Sequence, residues 1–344
     1  MTSLLSRVLP SGAADLAIDL GTANTIVAER GSGMIFNQPS ICCFSGTGDG
    51  ASLVAAGAEA HAMIGRIVRP LRIARPLRNG VLSDMAAGRE LLRHAVRQSG
   101  GAWRARKARA LIGVPADSTQ AEQRALLTAA EDAGLSHVRL LPEPLMAAIG
   151  SGLDIDAARG RMVIDCGAGT TEVVVISLGS ICLAGTVRIG GDTLDEALLD
   201  HLQLRHRFQI GVATAERLKL ELTELLDTGG DHERMISMKG HNSAAGRPET
   251  LSLPASELIR VYEKHLRNIV DIVRAALLRT PPELSQDIHD DGILLTGGAS
   301  MAGLLGQRIG EATGLATHIA GTPLDCVALG LQQVLENGEL RAAA

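Results

Sequence analysis

Two aspartate residues in this chain each follow an apolar run and stand directly before a turn of small residues. Asp19 lies between residues 16–18 and the turn 21–24, and Asp165 has the same place in a segment that starts at Met162. Each turn leads into a second apolar run, so each segment predicts a β-hairpin. Unpaired amides in such a turn can cradle phosphate oxygens, and an adjacent aspartate supplies a hard oxygen ligand for Mg²⁺. The pattern therefore predicts chemistry on a phosphate group in the presence of magnesium.

The presence of two copies of this pattern is stronger evidence for a phosphate site than either copy alone. One copy alone is equally well explained as an ordinary hairpin whose turn contains glycine. Two copies with aspartate in the same place, one in each half of 344 residues, are less easily explained as coincidence. We therefore expect two similar α/β domains that face each other across a cleft, with one turn gripping phosphates from each side.

A third acidic residue, Glu143, has a position that is typical of functional groups in open α/β sheets. It follows a strand predicted over 138–141 and begins a helix after Pro142. There it could orient an attacking water molecule. The alternative is a glutamate that only interacts with the helix macrodipole, and the local sequence by itself favours this alternative.

The other elements follow from hydrophobic periodicity and from helix-ending residues. We predict a strand over 108–115 and helices over 118–133, 213–226, 255–279 and from Cys326 onward. The second of these helices carries Glu216 and Lys219, whose charges could simply face solvent. The polar segment 228–247 predicts a flexible loop or a short edge hairpin. A buried strand over 292–296 leads into a glycine turn at Gly297, which would let backbone lie flat against a planar ligand.

Composition narrows the classes of function. The chain has 33 Lys and Arg against 38 Asp and Glu, a net charge of −5, which argues against nucleic-acid binding. With 46% apolar and 21% charged residues it can bury a core, which excludes a disordered chain. Five cysteines without a Cys-x-x-Cys pair fit a reducing compartment, and no apolar run approaches the roughly 18 residues of a transmembrane helix. The start of the chain lacks the layout of a signal peptide, so we expect a protein that stays inside the cell.

Five segments, at 19–25, 143–150, 165–177, 292–298 and 326–330, stand in the order used by the actin, Hsp70 and sugar-kinase ATPase superfamily. Together with four further segments, their residues resemble the MreB family of bacterial actin homologues. The matching segments are 19–25 (DLGTANT), 37–40 (NQPS), 75–81 (RPLRNGV), 143–150, 165–177 (DCGAGTTEVVVIS), 188–196 (RIGGDTLDE), 279–284 (RTPPEL), 292–298 and 326–330. The resemblance implies an actin-like ATPase fold, in which two similar ribonuclease-H-like α/β domains surround a nucleotide cleft. Residues 1–144 would form the first domain, with a small subdomain at about 33–72 and with the helix 325–344 returning to it. Residues 145–324 would form the second, with a small subdomain at about 185–254.

The resemblance also implies how ATP and Mg²⁺ bind. It assigns to the phosphates Gly21, Thr22, Ala23 and Asn24 of the first turn and Gly167, Ala168, Gly169 and Thr170 of the second. It assigns hydrated Mg²⁺ to Asp19 and Asp165, the ribose and base to Glu216 and Lys219, and the adenosine to Gly297, Gly298 and Ala299. Glu143 would position the water that attacks the γ-phosphate, with Thr170 and Asp165 as the other catalytic residues. The implied activity is slow ATP hydrolysis coupled to filament assembly.

Several positions depart from the usual pattern of the family. Ala168 and Ala299 stand where a third glycine is common, and Pro142 replaces an acidic residue. Residues 67–70 lack the familiar turn of Gly and Asn, and 46–50 resemble a small insertion. These differences bear on the rate of hydrolysis and on filament contacts more than on nucleotide binding.

The resemblance further implies that the chain assembles with copies of itself and contacts the membrane. Actin-like subunits assemble head to tail, and the family forms paired antiparallel protofilaments on the inner face of the cytoplasmic membrane, where they guide wall-synthesis membrane proteins. Residues 1–9 have the apolar spacing of a short membrane-surface helix, and the segment 101–107 sets Trp103 beside three basic residues. For residues 1–9 the alternative is a frayed leader or a strap packed on the body of the protein. For 101–107 it is a solvated basic loop with a half-buried Trp103. For the whole chain, the alternative functions are a magnetosome-organising or segregating filament and a small-molecule kinase of the same superfamily.

Overall fold

The computed structural model describes residues 15–98 and 108–337. The strands, in chain order, are β1 (Asp15–Leu20), β2 (Asn24–Glu29), β3 (Gly33–Pro39), β4 (Cys42–Ser45), β5 (Ser52–Ala56), β6 (Leu71–Ala74), β7 (Leu77–Arg78), β8 (Val81–Leu82), β9 (Arg109–Val114), β10 (His137–Pro142), β11 (Arg161–Cys166), β12 (Thr171–Ser177), β13 (Ser180–Val187), β14 (Phe208–Gln209), β15 (Met235–Asn242), β16 (Arg247–Pro254), β17 (Ile293–Thr296) and β18 (Thr317–Ile319). The α-helices are α1 (Ala58–Ala62), α2 (Met85–Gln98), α3 (Gln120–Asp132), α4 (Glu143–Gly150), α5 (Gly191–His206), α6 (Val212–Asp227), α7 (Ala255–Arg279), α8 (Pro282–Asp291), α9 (Gly303–Thr313) and α10 (Cys326–Asn337). Short 3-10 helices cover Gly48–Gly50 and Gly298–Met301.

Two five-stranded sheets share one topology. The first has the order β3-β2-β1-β9-β10 and the second the order β13-β12-β11-β17-β18. In each sheet three consecutive strands form an antiparallel meander. A later strand then pairs parallel to the first strand of the meander, and one further strand pairs parallel to that later strand. The repeat seen in the two aspartate segments therefore extends over both sheets.

The hairpins that carry Asp19 and Asp165 are held in register by buried apolar side chains on both faces. Ile18 in the first hairpin and Val174 in the second are completely buried. Asp19 pairs with Ile26 in the first ladder and Asp165 pairs with Glu172 in the second, and each turn begins two positions after its aspartate. Because a slip of one residue would turn every side chain to the other face, the apolar pattern determines where the two carboxyl groups lie.

One face of each large sheet is covered by helices from its own part of the chain. Leu91 and Leu92 of α2 are buried in the core of the first sheet. Leu198 of α5 and Leu266 of α7 are buried in the core of the second. Both cores are mainly aliphatic, with Phe36 and Phe44 in the first and Phe208 and Tyr262 in the second.

Helices α4 and α10 lie against both sheets. Met146 of α4 belongs to one buried cluster with Ala17 of β1 and Val174 of β12, and residues of α10 complete this cluster. A Cβ atom added to Gly150 or to Gly330 would collide with the backbone of the other helix. Helices α4 and α10 therefore pack closely, and the helix predicted from Cys326 onward is α10.

The predicted elements of the second half are confirmed within a few residues. The helices predicted over 213–226 and 255–279 are α6 and α7. In the polar segment 228–247 the hairpin alternative is correct, since β15 lies within it and pairs with β16. Most of the second strand lies beyond the predicted segment, because β16 begins at Arg247 and ends at Pro254. This hairpin joins β14 in a three-stranded sheet, and β5, β4 and β6 form another.

Other predictions are not decided by these elements. The division into 1–144 and 145–324, with small subdomains at about 33–72 and 185–254, stays a prediction. The helix predicted for residues 1–9 and the loop 101–107 lie outside the described residues. Within 15–98 and 108–337, no helix is both long and apolar enough to cross a membrane.

Candidate functional site

A cavity of about 760 Å³ lies where the two aspartate hairpins end. The predicted site residues on its walls are Asp19, Gly21, Thr22, Ala23, Asn24, Glu143, Asp165, Gly167, Ala168, Gly169, Thr170, Glu216, Lys219, Gly297, Gly298 and Ala299. The fold therefore brings to one cavity every residue that the family resemblance assigned to phosphate, metal, base or catalysis.

The turns of the two hairpins meet at this cavity. Thr22 of the first turn accepts a hydrogen bond of 3.3 Å from the N–H of Gly80. A Cβ atom added to Gly169 of the second turn would lie 2.6 Å from Oγ1 of Thr22 and 2.9 Å from Cα of Asn79. Since atoms this close would overlap, the approach of the two turns requires glycine at position 169.

Each turn is held by hydrogen bonds to its carbonyl oxygens. Ser40 donates from Oγ to the carbonyl of Gly21 at 2.6 Å, and its N–H donates to the carbonyl of Ala23 at 2.7 Å. In the second turn, the carbonyl of Ala168 accepts a 2.8 Å bond from the N–H of Asp192, near the start of α5. This use of the carbonyl oxygens suits turns that present N–H groups to an anion.

Four carboxyl groups crowd together beside the turns. Glu143, Asp165 and Glu172 each bring one oxygen to within 4.8 Å of the other two. Asp19 lines the same cavity, and the negative charge of Asp165 repels its carboxylate. Asp165 also accepts a 2.9 Å hydrogen bond from Oγ1 of Thr296. Oε2 of Glu172 is buried and has no hydrogen-bond partner within the described residues.

Burial raises the pKa of all four carboxyl groups. Together with the charges of Asp165 and Asp325, it raises the pKa of Asp19 to about 7. It raises the pKa of Glu172 to about 8 and, with the charge of Glu172, the pKa of Glu143 to well above its usual value. Burial also raises the pKa of Asp165. A divalent cation would relieve this repulsion and offer a partner to the open oxygen of Glu172, so the donor set fits Mg²⁺.

Glu143 reaches this cluster because of the way that β10 passes into α4. Pro142 precedes the helix with φ −63° and ψ 123° and turns the chain from strand to helix. Gly113 on the neighbouring β9 leaves room for the glutamate, since a Cβ there would lie 3.0 Å from Cγ of Glu143. Glu143 thus begins α4 and also belongs to the carboxyl cluster, and its predicted role in positioning water stays a prediction.

The side of the cavity assigned to ribose and base is formed by α6 and by the turn after β17. Lys219 does not face solvent. Its Nζ pairs with Oδ2 of Asp195 at 2.7 Å, and its side chain is only 18% exposed. Glu216 is exposed at the cavity rim. Gly297 has φ +80°, and a Cβ there would lie 2.8 Å from Oδ1 of Asp165. The glycine turn thus passes directly beside the carboxyl cluster.

Sequence reasoning missed Glu172, Thr296 and Asp325 as members of this site. A signal for Glu172 was available, since it is the acidic residue in the otherwise uncharged and fully buried β12. It also stands opposite Asp165 in the ladder. Asp325 borders the cavity from the loop before α10, where no local pattern points to it.

Comparison with known proteins identifies relatives over nearly the whole chain. A family model described as MreB/Mbl protein matches residues 13–342. The cell shape-determining protein MreB of Escherichia coli (strain K12) is 39% identical over 325 residues, which are 94% of this chain and 93% of that protein. The cell shape-determining protein Mbl of Bacillus subtilis (strain 168) is 35% identical over 325 residues, 94% and 96% of the two chains.

A solved structure of a related protein has the same fold. The crystal structure of MreB 5 of Spiroplasma citri bound to AMPPNP matches this fold with a TM-score of 0.87 at 30% sequence identity, covering 94% of this chain and 96% of that one. The expected actin-like fold is thereby confirmed. The chain belongs to the MreB/Mbl family of cell shape-determining, actin-like proteins.

Proposed function

We propose that this chain binds ATP with Mg²⁺ in the cavity and polymerises into filaments that determine cell shape. The observation that carries the proposal is the contact of two equivalent turns, at Thr22 and Gly169, beside the carboxyl groups of Asp19 and Asp165. A triphosphate between the turns would be held from both halves of the chain, so its binding would set their relative position. The relative from Spiroplasma citri, which is bound to AMPPNP, supports a nucleotide as the ligand.

The chemistry of the carboxyl cluster supports magnesium as the metal. Asp19 and Asp165 would hold the hydrated ion, because Mg²⁺ prefers oxygen ligands and keeps several of its waters. The bound ion would supply charge neutralisation at the phosphates. The N–H groups of the turns 21–24 and 167–170 would share that task from the two sides.

Hydrolysis would depend on Glu143 and Thr170. In an in-line reaction the water oxygen forms a bond to the γ-phosphorus while the bond to the bridging oxygen of ADP breaks. Glu143 would orient that water from the carboxyl cluster, and the hydroxyl of Thr170 would assist. Neither turn is followed by a lysine, so the site differs from that of a P-loop enzyme. We expect slow turnover that is coupled to assembly.

We extend the proposal to the filament and its location. Head-to-tail contacts between copies of an asymmetric chain do not close, so they produce filaments. Paired antiparallel protofilaments would lie on the inner face of the cytoplasmic membrane and guide wall-synthesis membrane proteins. Residues 1–9 and the segment 101–107 are the proposed membrane contacts, and the chain would be cytoplasmic and peripheral. The two-domain division at 144/145 is part of the same proposal.

Sedimentation tests this function directly. The purified chain is centrifuged with and without Mg-ATP, each with and without anionic liposomes, and the pellets are imaged after negative staining. We expect filaments in the pellet only with nucleotide, and more pelleted protein with liposomes. Asp165→Ala serves as the control that stays in the supernatant. Failure to bind adenine nucleotides would overturn the proposal, and transfer of phosphate to a small molecule without filaments would favour the kinase alternative.

A further inference from the structure

Two histidines and a glutamate converge on one point outside the nucleotide cavity. His201 and His206 lie in the last turns of α5, and Glu257 lies in the first turn of α7. Nε2 of His201 is 2.9 Å, and Nε2 of His206 is 2.7 Å, from the same oxygen, Oε1 of Glu257. We propose that these three residues, the histidine cluster, form a binding site for a divalent transition metal of the zinc type.

The distances in the histidine cluster suit a single metal ion. Its three ligand atoms lie within 4.8 Å of one another. Zinc holds such atoms at about 2.0–2.2 Å, which places two tetrahedral ligands roughly 3.4 Å apart. Each imidazole therefore has to retreat from Glu257 by only about 0.5–0.7 Å to admit the ion. The two rings are 5.9 Å apart and inclined by 61°, so they approach the site from different directions.

The ligand types and their surroundings also favour such a metal. Two imidazoles and one carboxylate are a set that zinc uses when a fourth position is left for water. The three side chains are 18–21% exposed, so the site is ordered by packing and still open to solvent. The site also lies at the end of α5, where the helix dipole favours a cation, and at the start of α7, where it favours the carboxylate.

Arg205 competes for the same carboxylate. Its Nε lies 3.3 Å from Oε1 of Glu257, and its side chain is 67% exposed. The guanidinium can therefore turn into solvent when a metal binds. Removal of this charge should tighten metal binding, which a purely structural role of the two histidines would not produce.

The histidine cluster differs in chemistry from the carboxyl cluster of the cavity. Among the described residues these are the two groups of three or more potential ligands, and the second consists of carboxylates alone. Oxygen ligands favour Mg²⁺, whereas imidazole favours Zn²⁺ and its neighbours, so each site would select its own metal. The proposal does not depend on nucleotide binding and can be tested without nucleotide.

Cobalt titration tests the site. The tag-free chain, freed of metal and nucleotide, is titrated with Co²⁺ and then with Zn²⁺. We expect one equivalent of Co²⁺ to bind with the intense visible absorption of four-coordinate Co²⁺, and Zn²⁺ to displace it. His201→Ala, His206→Ala and Glu257→Gln should each weaken binding by at least about tenfold, a loss like that seen when support of a metal site is removed. His289→Ala, at an exposed histidine of α8, is the matched control.

Opposite results would overturn the proposal. Weak absorption typical of six-coordinate Co²⁺ would place the metal at the carboxyl cluster instead. Equal binding by the wild type and by Glu257→Gln, which preserves the shape of the side chain, would exclude the histidine cluster even if a histidine variant failed to fold. Arg205→Ala should bind Zn²⁺ more tightly than the wild type, and weaker binding by this variant would contradict the proposed arrangement.

Discussion

The backbone N–H of Ala116 donates a 2.7 Å hydrogen bond to Oε1 of Glu172. Ala116 follows β9 of the first sheet, and Glu172 lies on β12 of the second. The other oxygen of Glu172 has no partner within the part of the chain that the structure describes. One side chain thus joins the two sheets and leaves a buried oxygen in the carboxyl cluster.

The nucleotide-free protein should become less stable as the pH rises from about 5 to 8. In the folded state the pKa of Asp19 is raised to about 7 and that of Glu172 to about 8, from ordinary values of 3.8 and 4.5. The folded state therefore retains protons that the unfolded state has released. The free energy of unfolding then falls with pH, by up to about 1.4 kcal/mol per pH unit for one such group.

Urea unfolding across this pH range measures the effect. Glu172→Gln removes one of the titrating groups and keeps an oxygen for the N–H of Ala116, so its curve should be flatter. A wild-type free energy of unfolding that rises with pH in this window would contradict the assignment.

Glu143→Gln should retain ATP binding and lose turnover. The amide keeps the size of the side chain but orients water poorly, and loss of such a group costs about a hundredfold or more in rate. Phosphate release and equilibrium nucleotide binding are measured side by side. Release at the wild-type rate would disprove the water-positioning role.

Asp165→Ala should lose Mg²⁺-dependent ATP binding. The substitution removes a proposed ligand and also the acceptor of the Thr296 hydroxyl. Titration with ATP in the presence of Mg²⁺ or EDTA separates the two conditions. Thr296→Val, which removes only the hydroxyl, is the control and should keep the Mg²⁺ dependence. An Asp165→Ala variant with the full Mg²⁺ effect would place the metal elsewhere.

Gly169→Ala should weaken ATP binding by about tenfold to a hundredfold. The new Cβ would lie 2.6 Å from Oγ1 of Thr22, and relief of such overlap typically costs about 1–3 kcal/mol. Gly321→Ala is the matched control, since a Cβ there has no neighbour within 4 Å. Calorimetric titration of both variants is the measurement. Equal affinities would show that the turns need not touch when nucleotide is bound.

Deletion of residues 1–9 should abolish binding to anionic liposomes without preventing ATP-dependent assembly. The apolar spacing of this segment predicts a helix with one apolar face, which would lie in the membrane surface. Co-sedimentation of the truncated chain with liposomes measures the loss. Unchanged co-sedimentation would assign the membrane contact to another part of the chain, and Trp103→Ser then tests the segment 101–107.

The sequence predicted several of the elements, and the family resemblance added most residues of the candidate site. Asp19, Asp165 and their turns could be predicted because a hairpin depends on local alternation of side chains and on turn residues. The helix over 255–279 could be predicted to the residue, because its apolar spacing continues without interruption. The repeated motif then indicated that the two hairpins belong to equivalent sheets.

Other relationships depend on how distant segments pack. In the sequence, Glu172 is only a single charge in an apolar strand. The fold places it beside Glu143 and Asp165, where it accepts a hydrogen bond from the N–H of Ala116. His206 and Glu257 are 51 residues apart, and no periodicity relates the end of α5 to the start of α7. Local patterns determine which segments become strands and helices, because those interactions are short in sequence. The carboxyl cluster, the contact of Thr22 with Gly169 and the histidine cluster were decided only by the tertiary structure, since burial and crowding of charges arise when remote elements share one core.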